Sequence, residues 1–289
     1  KIKREYLSKQ ASPFIRQQVV DPNDQTKKSP VFCDLGKLTY VIGMVGLNEF
    51  VQALTGMQLH ESEDAVVMGE RLIGSLNLYC GKVGHENGMS IALARTPAET
   101  TAQRFAVQDL IKYPKYAKKY VKGNLKEAIK MLPTRRDVPI QYSNGTHLAV
   151  DAPVTLDKKI EIEGRFFGVL KGGNIFHVFL DDVVPMLRAS ELGTGEIHPS
   201  YVDDAMEFVF KIFRETPINY LAITKDSTIC DDCNSITPGV NEKCPKCGST
   251  NVDFFSRITG YLEPISQWNA AKKQEFFDRH RYGEKDVRG

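Results

Sequence analysis

Four of the six cysteines in this 289-residue chain form two Cys-x-x-Cys pairs, Cys230/Cys233 and Cys244/Cys247, with ten residues between the pairs. Two thiolates on one tight turn can bind one face of a tetrahedral ion, and a second pair closes the other face. Asp231, Asn234, Pro245 and Gly248 supply turn chemistry at both knuckles. With cysteine at every position and none left open for water, the pattern predicts a structural zinc site; iron held in the rubredoxin manner is the alternative ion. Two disulfides would be the plain explanation in a secreted chain, but the opening residues do not read as a signal peptide, and Cys33 and Cys80 stand alone. A zinc ribbon either binds nucleic acid or a partner, or it fixes the segment beside it. That segment is Arg257-Ile258-Thr259-Gly260-Tyr261-Leu262, whose glycine lies thirteen residues after Cys247. Taken alone, the glycine reads as a turn residue.

Clamp, glycine and the following Trp268-Asn269 and Lys272-Lys273 together resemble the C-terminal region of the anaerobic (class III) ribonucleoside-triphosphate reductases. Those enzymes carry a four-cysteine zinc site just before an Arg-x-x-Gly-Tyr-Leu loop. Upstream, Ile42–Glu49, Ala94–Glu99, Tyr142–Leu148 and Asn174–Leu180 are similar to family segments in the same order, so the resemblance spans residues 35–282. It implies a glycyl radical on Gly260. A backbone Cα radical is stabilised by donation from the amide nitrogen and withdrawal by the carbonyl. It must be nearly planar, and a Cβ would crowd that plane.

The resemblance further implies a separate radical-SAM activating enzyme that removes the hydrogen atom, and a radical cysteine that attacks the ribose of a ribonucleoside triphosphate. Formate or a thiol protein would be the reductant. The setting would be anaerobic and cytoplasmic, and the complete enzyme a homodimer. The implied fold is α/β: the second half of a ten-stranded barrel over residues 1–225, a zinc ribbon over 226–252, and the radical loop with its tail over 253–289. In the family the radical cysteine precedes the segment resembling residues 35–50. The chain therefore reads as a C-terminal piece or a subunit of a split enzyme. Cys33 is not assigned that role, and Cys80 reads as a buried small apolar residue. Another glycyl-radical enzyme, such as a formate-lyase relative, would share the loop without the clamp. A zinc-ribbon module binding nucleic acid or a partner is the non-catalytic alternative.

Three further residues are candidates. Thr96-Pro97-Ala98-Glu99 reads locally as a capping box with proline at the first helical position. The resemblance instead makes Glu99 an active-site acid at a strand-to-helix corner. Ser143-Asn144-Gly145-Thr146 reads as a turn, with Asn144 and Thr146 as candidate hydrogen-bonding groups for the nucleotide. His177, alternating within a strand, is expected to be a satisfied core or rim histidine.

Net charge is +2 from 38 basic and 36 acidic residues, which does not suggest a general nucleic-acid binder. The longest apolar run, Tyr40 to Leu47, is too short to span a membrane. Strands are expected over 38–45, 89–94, 175–180 and 219–224. They alternate with helices beginning at Asn48 and covering 62–81, 160–170 and 203–216, the pattern of parallel pairing. A helix is expected over 1–20, a loop over 21–30, and a solvated lysine- and tyrosine-rich surface over 112–130. The aromatics of the helix over 203–216, Phe208, Phe210 and Phe213, are expected in the core.

Overall fold

The computed structural model describes residues 20–21, 24–28, 38–181 and 199–283. The helix expected at the start of the chain, Cys33 and residues 284–289 lie outside the described residues, apart from Val20. Two short antiparallel strands, β1 (Val20–Asp21) and β2 (Asp24–Lys28), stand where a loop is expected. Strand β3 (Thr39–Met44) leads into helix α1 (Leu47–Thr55), then into the 24-residue helix α2 (Glu63–Glu86), and returns as β4 (Ser90–Arg95). The two strands pair in parallel, with Thr39 opposite Ser90 and Met44 opposite Arg95. Along α2 the buried residues Val66, Gly69, Ile73, Cys80 and Gly84 recur at helical spacing and face the strands. They meet Leu59, Leu93, Leu148 and Phe166 in the largest core. Each large side chain buried there contributes about 1.5–3 kcal/mol.

Helix α3 (Thr101–Lys112), the turn α4 (Pro114–Ala117), strand β5 (Lys122–Gly123), helix α5 (Leu125–Met131) and strand β6 (Ile140–Gln141) form a side layer with its own small core. Much of 112–130 is exposed, as expected. Helix α6 (Leu156–Gly164) starts and ends earlier than its periodicity suggests. Strand β7 (Phe176–Leu180) pairs in parallel with β8 (Leu221–Lys225), and helix α7 (Pro199–Glu215) lies between them in sequence. Gly172 N donates to Leu93 O (2.7 Å) and Arg95 N to Gly173 O (3.0 Å), joining β4 to the chain entering β7. The two parallel pairs remain separate two-stranded sheets tied by these bonds, and the α/β expectation holds.

The burial expectation for α7 holds only in part: Phe208 packs against the core of Ile212 and Phe176, while Phe210 and Phe213 are exposed, as are Val41 and Ile42 on β3. A helical or extended apolar pattern identifies a face; it does not say what covers it.

Strands β9 (Ser227–Cys230), β10 (Ile236–Pro238), β11 (Val252–Arg257) and β12 (Leu262–Pro264) form one antiparallel sheet in the order β10-β9-β11-β12. The cysteine ribbon and the strands flanking Gly260 therefore belong to the same sheet. A 3-10 turn (Ile265–Gln267) and helix α8 (Ala270–Asp278) follow. The chain end then runs back along β7: Tyr282 N donates to Phe179 O (2.8 Å), and Asp181 N to Tyr282 O (3.0 Å). Among the described residues no helix is long and apolar enough to cross a membrane.

Candidate active site and metal centre

The two Cys-x-x-Cys turns face each other at one end of the β9–β11 pairing, where Cys230 sits opposite Val252. The Sγ atoms of Cys230 and Cys247 are 3.6 Å apart, those of Cys233 and Cys244 are 3.7 Å apart, and all four lie within 4.8 Å of one another. A tetrahedral ion with metal–sulfur bonds near 2.3 Å requires sulfur–sulfur edges of roughly 3.8 Å. The four sulfurs therefore fit a single ion, and the donor set is that of a four-thiolate centre. Backbone bonds shape the knuckles: Cys230 N donates to Ser235 O (2.9 Å), Cys244 N to Ser249 O (2.8 Å) and Gly248 N to Cys244 O (2.8 Å). Asp232 braces them by accepting hydrogen bonds from Ser249 Oγ and from Asn251 Nδ2 (2.8 Å).

The Ser235 hydroxyl and the Cys247 and Lys246 amides lower the Cys244 thiol to about 6. At Cys247 the Ser249 amide favours the thiolate, but the crowding of Cys233, Cys230 and Cys244 pushes its pKa up to about 12. A divalent cation relieves that crowding.

From this end β11 runs to the hairpin, about 17 Å over six residues. Arg257 lies opposite Leu262, and the four residues between them form the loop, closed by Ile258 N donating to Tyr261 O (3.1 Å). Ile258 is buried against Ile265, Trp268 and Phe276. Gly260 is exposed at the tip. Its φ lies outside the left-handed region, and a Cβ built on it would meet no atom within 4 Å. Neither backbone conformation nor packing therefore calls for glycine at 260.

The loop's polar contacts are specific. Thr259 Oγ1 donates to one Glu99 carboxylate oxygen, and Tyr261 Oη is 3.5 Å from the other. Arg257 Nη1 donates to the Gly260 carbonyl (2.6 Å). Beneath, the buried Arg279 donates to Arg257 O (3.0 Å) and to Ser256 Oγ (3.0 Å), with its guanidinium 4.1 Å from the Phe179 ring centre. Helix α3 begins only at Thr101, and its N-cap makes no side-chain bond, so the capping-box reading of Thr96–Glu99 does not hold. The tertiary contact with the loop takes Glu99 instead, with Asn269 Nδ2 on its carbonyl (3.0 Å).

Beside the hairpin, a small cavity bordered by Ile258 and Glu275 is lined by Arg95, Gln141, Asn144, His147 and His177. Each of these five carries a buried polar atom with no partner among the described residues: Arg95 Nε, Gln141 Oε1, Asn144 Oδ1, His147 Nε2 and His177 Nδ1. The free space, about 50 Å³, holds a few waters. That space is several-fold smaller than a typical small-molecule pocket. Gly145 fits beside this cavity only without a side chain. Its φ is +56°, and a Cβ would stand 2.2 Å from Arg95 Cγ.

His147 Nδ1 is 3.1 Å from Glu163, which also faces Lys159 at 3.6 Å and accepts from Leu148 N (3.0 Å). Burial and Arg95 lower the His147 pKa to about 4, so at neutral pH its Nδ1–H donates to Glu163 and its Nε2 is an acceptor. Burial pushes Glu163 up, but His147, Lys159 and the two hydrogen bonds prevail and leave it at about 2. His177 is neutral for the same reasons of burial and nearby Arg95, whose Nη1 lies 3.4 Å from His177 Nε2. Arg95 is itself buried, and burial lowers it to about 10.

Of the sequence candidates, Gly260 and Glu99 come together at the hairpin, and Asn144 lines the cavity. Thr146 is buried without lining it. His177 is a cavity residue with an unpartnered nitrogen, not the satisfied core histidine expected. Arg95, His147, Glu163 and Arg279 carry no role in the sequence reading, and Arg257 enters it only as the first residue of the Arg-x-x-Gly-Tyr-Leu loop. Arg95 and His147 lie inside the family-like stretches, which is where they could have been found.

Parallel strand–helix–strand units joined to a four-cysteine ribbon and a glycine hairpin define an α/β fold with a site that fits one metal ion. The family model for anaerobic ribonucleoside-triphosphate reductase matches residues 1–282, and the chain belongs to that family. The relative from Enterobacteria phage T4, an anaerobic ribonucleoside-triphosphate reductase, is 23% identical over 253 residues, which cover 84% of this chain and 34% of the relative. Its Escherichia coli counterpart is 23% identical over 250 residues (83% and 30%). Among solved structures, an anaerobic ribonucleotide reductase superposes with a TM-score of 0.62 at 21% identity, covering 86% of this chain and 35% of that one. The Thermotoga maritima enzyme in complex with dATP and CTP gives 0.55 at 20% (85% and 34%). The chain spans about a third of the length of the curated relatives it matches.

Proposed function

We propose that this chain carries the radical-storing part of an anaerobic ribonucleotide reductase. Gly260 holds an unpaired electron on its Cα, placed there when a radical-SAM activating enzyme removes one hydrogen atom. The complete enzyme, a cytoplasmic homodimer working without oxygen, uses that radical to oxidise a cysteine outside the described residues. It then replaces the ribose 2′-hydroxyl of a ribonucleoside triphosphate with hydrogen, supplying deoxyribonucleotides for DNA replication. The two reducing electrons come from formate or from a thiol pair. Cys230, Cys233, Cys244 and Cys247 hold zinc, which fixes the pairing of β9 with β11 and so aims the hairpin. Glu99 braces the loop from the active-site side, while Asn144 and the Arg95–His177 wall present polar groups to substrate.

One observation carries this reading. Position 260 is glycine although the fold has no need of one there, and both its neighbours bond to the same carboxylate. The test is electron paramagnetic resonance of the complete enzyme after anaerobic activation. A doublet from the one remaining α-hydrogen is expected, and it must collapse when glycine is labelled with deuterium and vanish in Gly260→Ala. An activated, active enzyme without a doublet would sink the proposal.

A further inference from the structure

The hairpin tip is held by polar contacts and not by packing, and one of them reaches the radical-bearing peptide itself. Arg257 Nη1 donates to the Gly260 carbonyl at 2.6 Å, and among the described residues this is the guanidinium's one polar contact. The backbone behind it is fixed. Arg279 binds Arg257 O and Ser256 Oγ, Ser256 Oγ donates to Asp226, and Arg281 Nε reaches Asp226 at 2.8 Å. The Arg257 side chain therefore leaves an anchored point and folds back over three residues to the carbonyl.

Resting on the radical reading above, we infer that Arg257 is a positioning residue that polarises the Gly260 carbonyl and locks the plane of the Gly260–Tyr261 peptide. A radical at this Cα spreads over nitrogen, carbon and carbonyl oxygen, and the withdrawing half of that delocalisation ends on the oxygen Arg257 contacts. A charged donor there favours the form with electron density on oxygen, and the interaction strengthens when spin moves onto the carbonyl. When the hydrogen atom leaves Cα, the C–H bond breaks homolytically. The peptide keeps its charge, and no proton is transferred in the step. Glu99 holds the two neighbours of Gly260 through Thr259 and Tyr261, while a Cβ at 260 would meet no atom within 4 Å, which leaves the Cα open.

The experiment compares wild type, Arg257→Lys and Arg257→Met in the complete metal-loaded enzyme, activated anaerobically with glycine labelled by carbon-13 at the carbonyl. Metal content and thermal unfolding establish that all three are folded. Arg257→Lys, which keeps a charged donor, is expected to retain the wild-type carbonyl coupling. Arg257→Met is expected to show a shifted coupling and a radical yield lower by about tenfold, the scale of one charged hydrogen bond. The same carbonyl coupling in Arg257→Met as in wild type overturns the inference, and so does loss of the doublet in Arg257→Lys. Loss in Arg257→Met with the lysine variant intact supports it. Absence of a doublet from wild type strikes the radical reading instead, so the two failures are separable.

Discussion

Two glycine-to-alanine substitutions separate a glycine kept for the backbone from one kept for chemistry. At Gly260 the φ angle is one any residue adopts, and the added Cβ meets nothing within 4 Å. The folded state therefore loses no contact, while the unfolded chain loses freedom, so Gly260→Ala should stabilise by about 0.4–1 kcal/mol. For a chain of this size that raises the melting temperature by about 1–4 °C. Gly145 is the opposite case. Its φ of +56° costs an alanine about 1–2 kcal/mol, and its Cβ would fall 2.2 Å from Arg95 Cγ. Moving that buried side chain adds about 1–3 kcal/mol. Gly145→Ala should therefore destabilise by about 2–5 kcal/mol and melt several degrees lower. The assay is anaerobic thermal unfolding of the complete metal-loaded protein, followed by activation and paramagnetic resonance. Gly260→Ala should be at least as stable as wild type and carry no radical. If it melts as low as Gly145→Ala, glycine at 260 serves the backbone and the reasoning fails. A persisting doublet would refute the assignment of the radical directly.

Stripping the metal with a chelator should loosen the whole β10-β9-β11-β12 sheet, because four thiols within 4.8 Å then have no counter-charge; limited proteolysis should open within 226–265, and unchanged protection there would argue against the clamp. Arg95→Met removes a buried guanidinium that no described carboxylate meets in an ion pair, Glu163 and Glu275 attracting it only from farther off, so stability should hold or rise by up to about 1–4 kcal/mol while turnover falls at least tenfold; a marked loss of stability would make Arg95 structural. The folded His147 pKa of about 4 lies below its unfolded value of 6.5, so between those values the unfolded chain binds more protons and stability falls as pH drops from 6.5 to 4. The loss approaches about 3 kcal/mol and should be absent in His147→Gln; an equally steep acid limb in that variant would exclude His147 as its source.

How much of this was legible in the sequence depends on the range of each feature. The thiolate clamp was legible because its ligands lie within eighteen residues and the turns between them are local. The parallel pairs were legible because β4 and β7 are short apolar runs set off by glycine, alternating with helices. Glu99 misled as a local pattern because its partners, Thr259 and Tyr261, lie 160 and 162 residues away, and no capping rule sees that far. The cavity was invisible for the same reason. Arg95 on β4, His147 after the turn at Gly145, and His177 on β7 meet only once the chain entering β7 is tied to β4. Of the aromatics on α7, Phe208 packs against the core while Phe210 and Phe213 are exposed, since periodicity carries no information about the covering surface.

Gly260 shows what each level contributes. In sequence it is one glycine among 22, and a turn residue by default. In the structure most glycines with a reason declare it by a positive φ or by a backbone or side chain where Cβ would stand, as Gly145 and Gly123 do. Gly260 declares neither, yet its flanking residues, its carbonyl and the base of its strand are each tied to a separate partner. Gly74, Gly81 and Gly168 declare neither as well, so what sets Gly260 apart is that Glu99 holds both its neighbours and Arg257 its carbonyl, and the paramagnetic measurement on Gly260→Ala decides whether those ties serve the Cα.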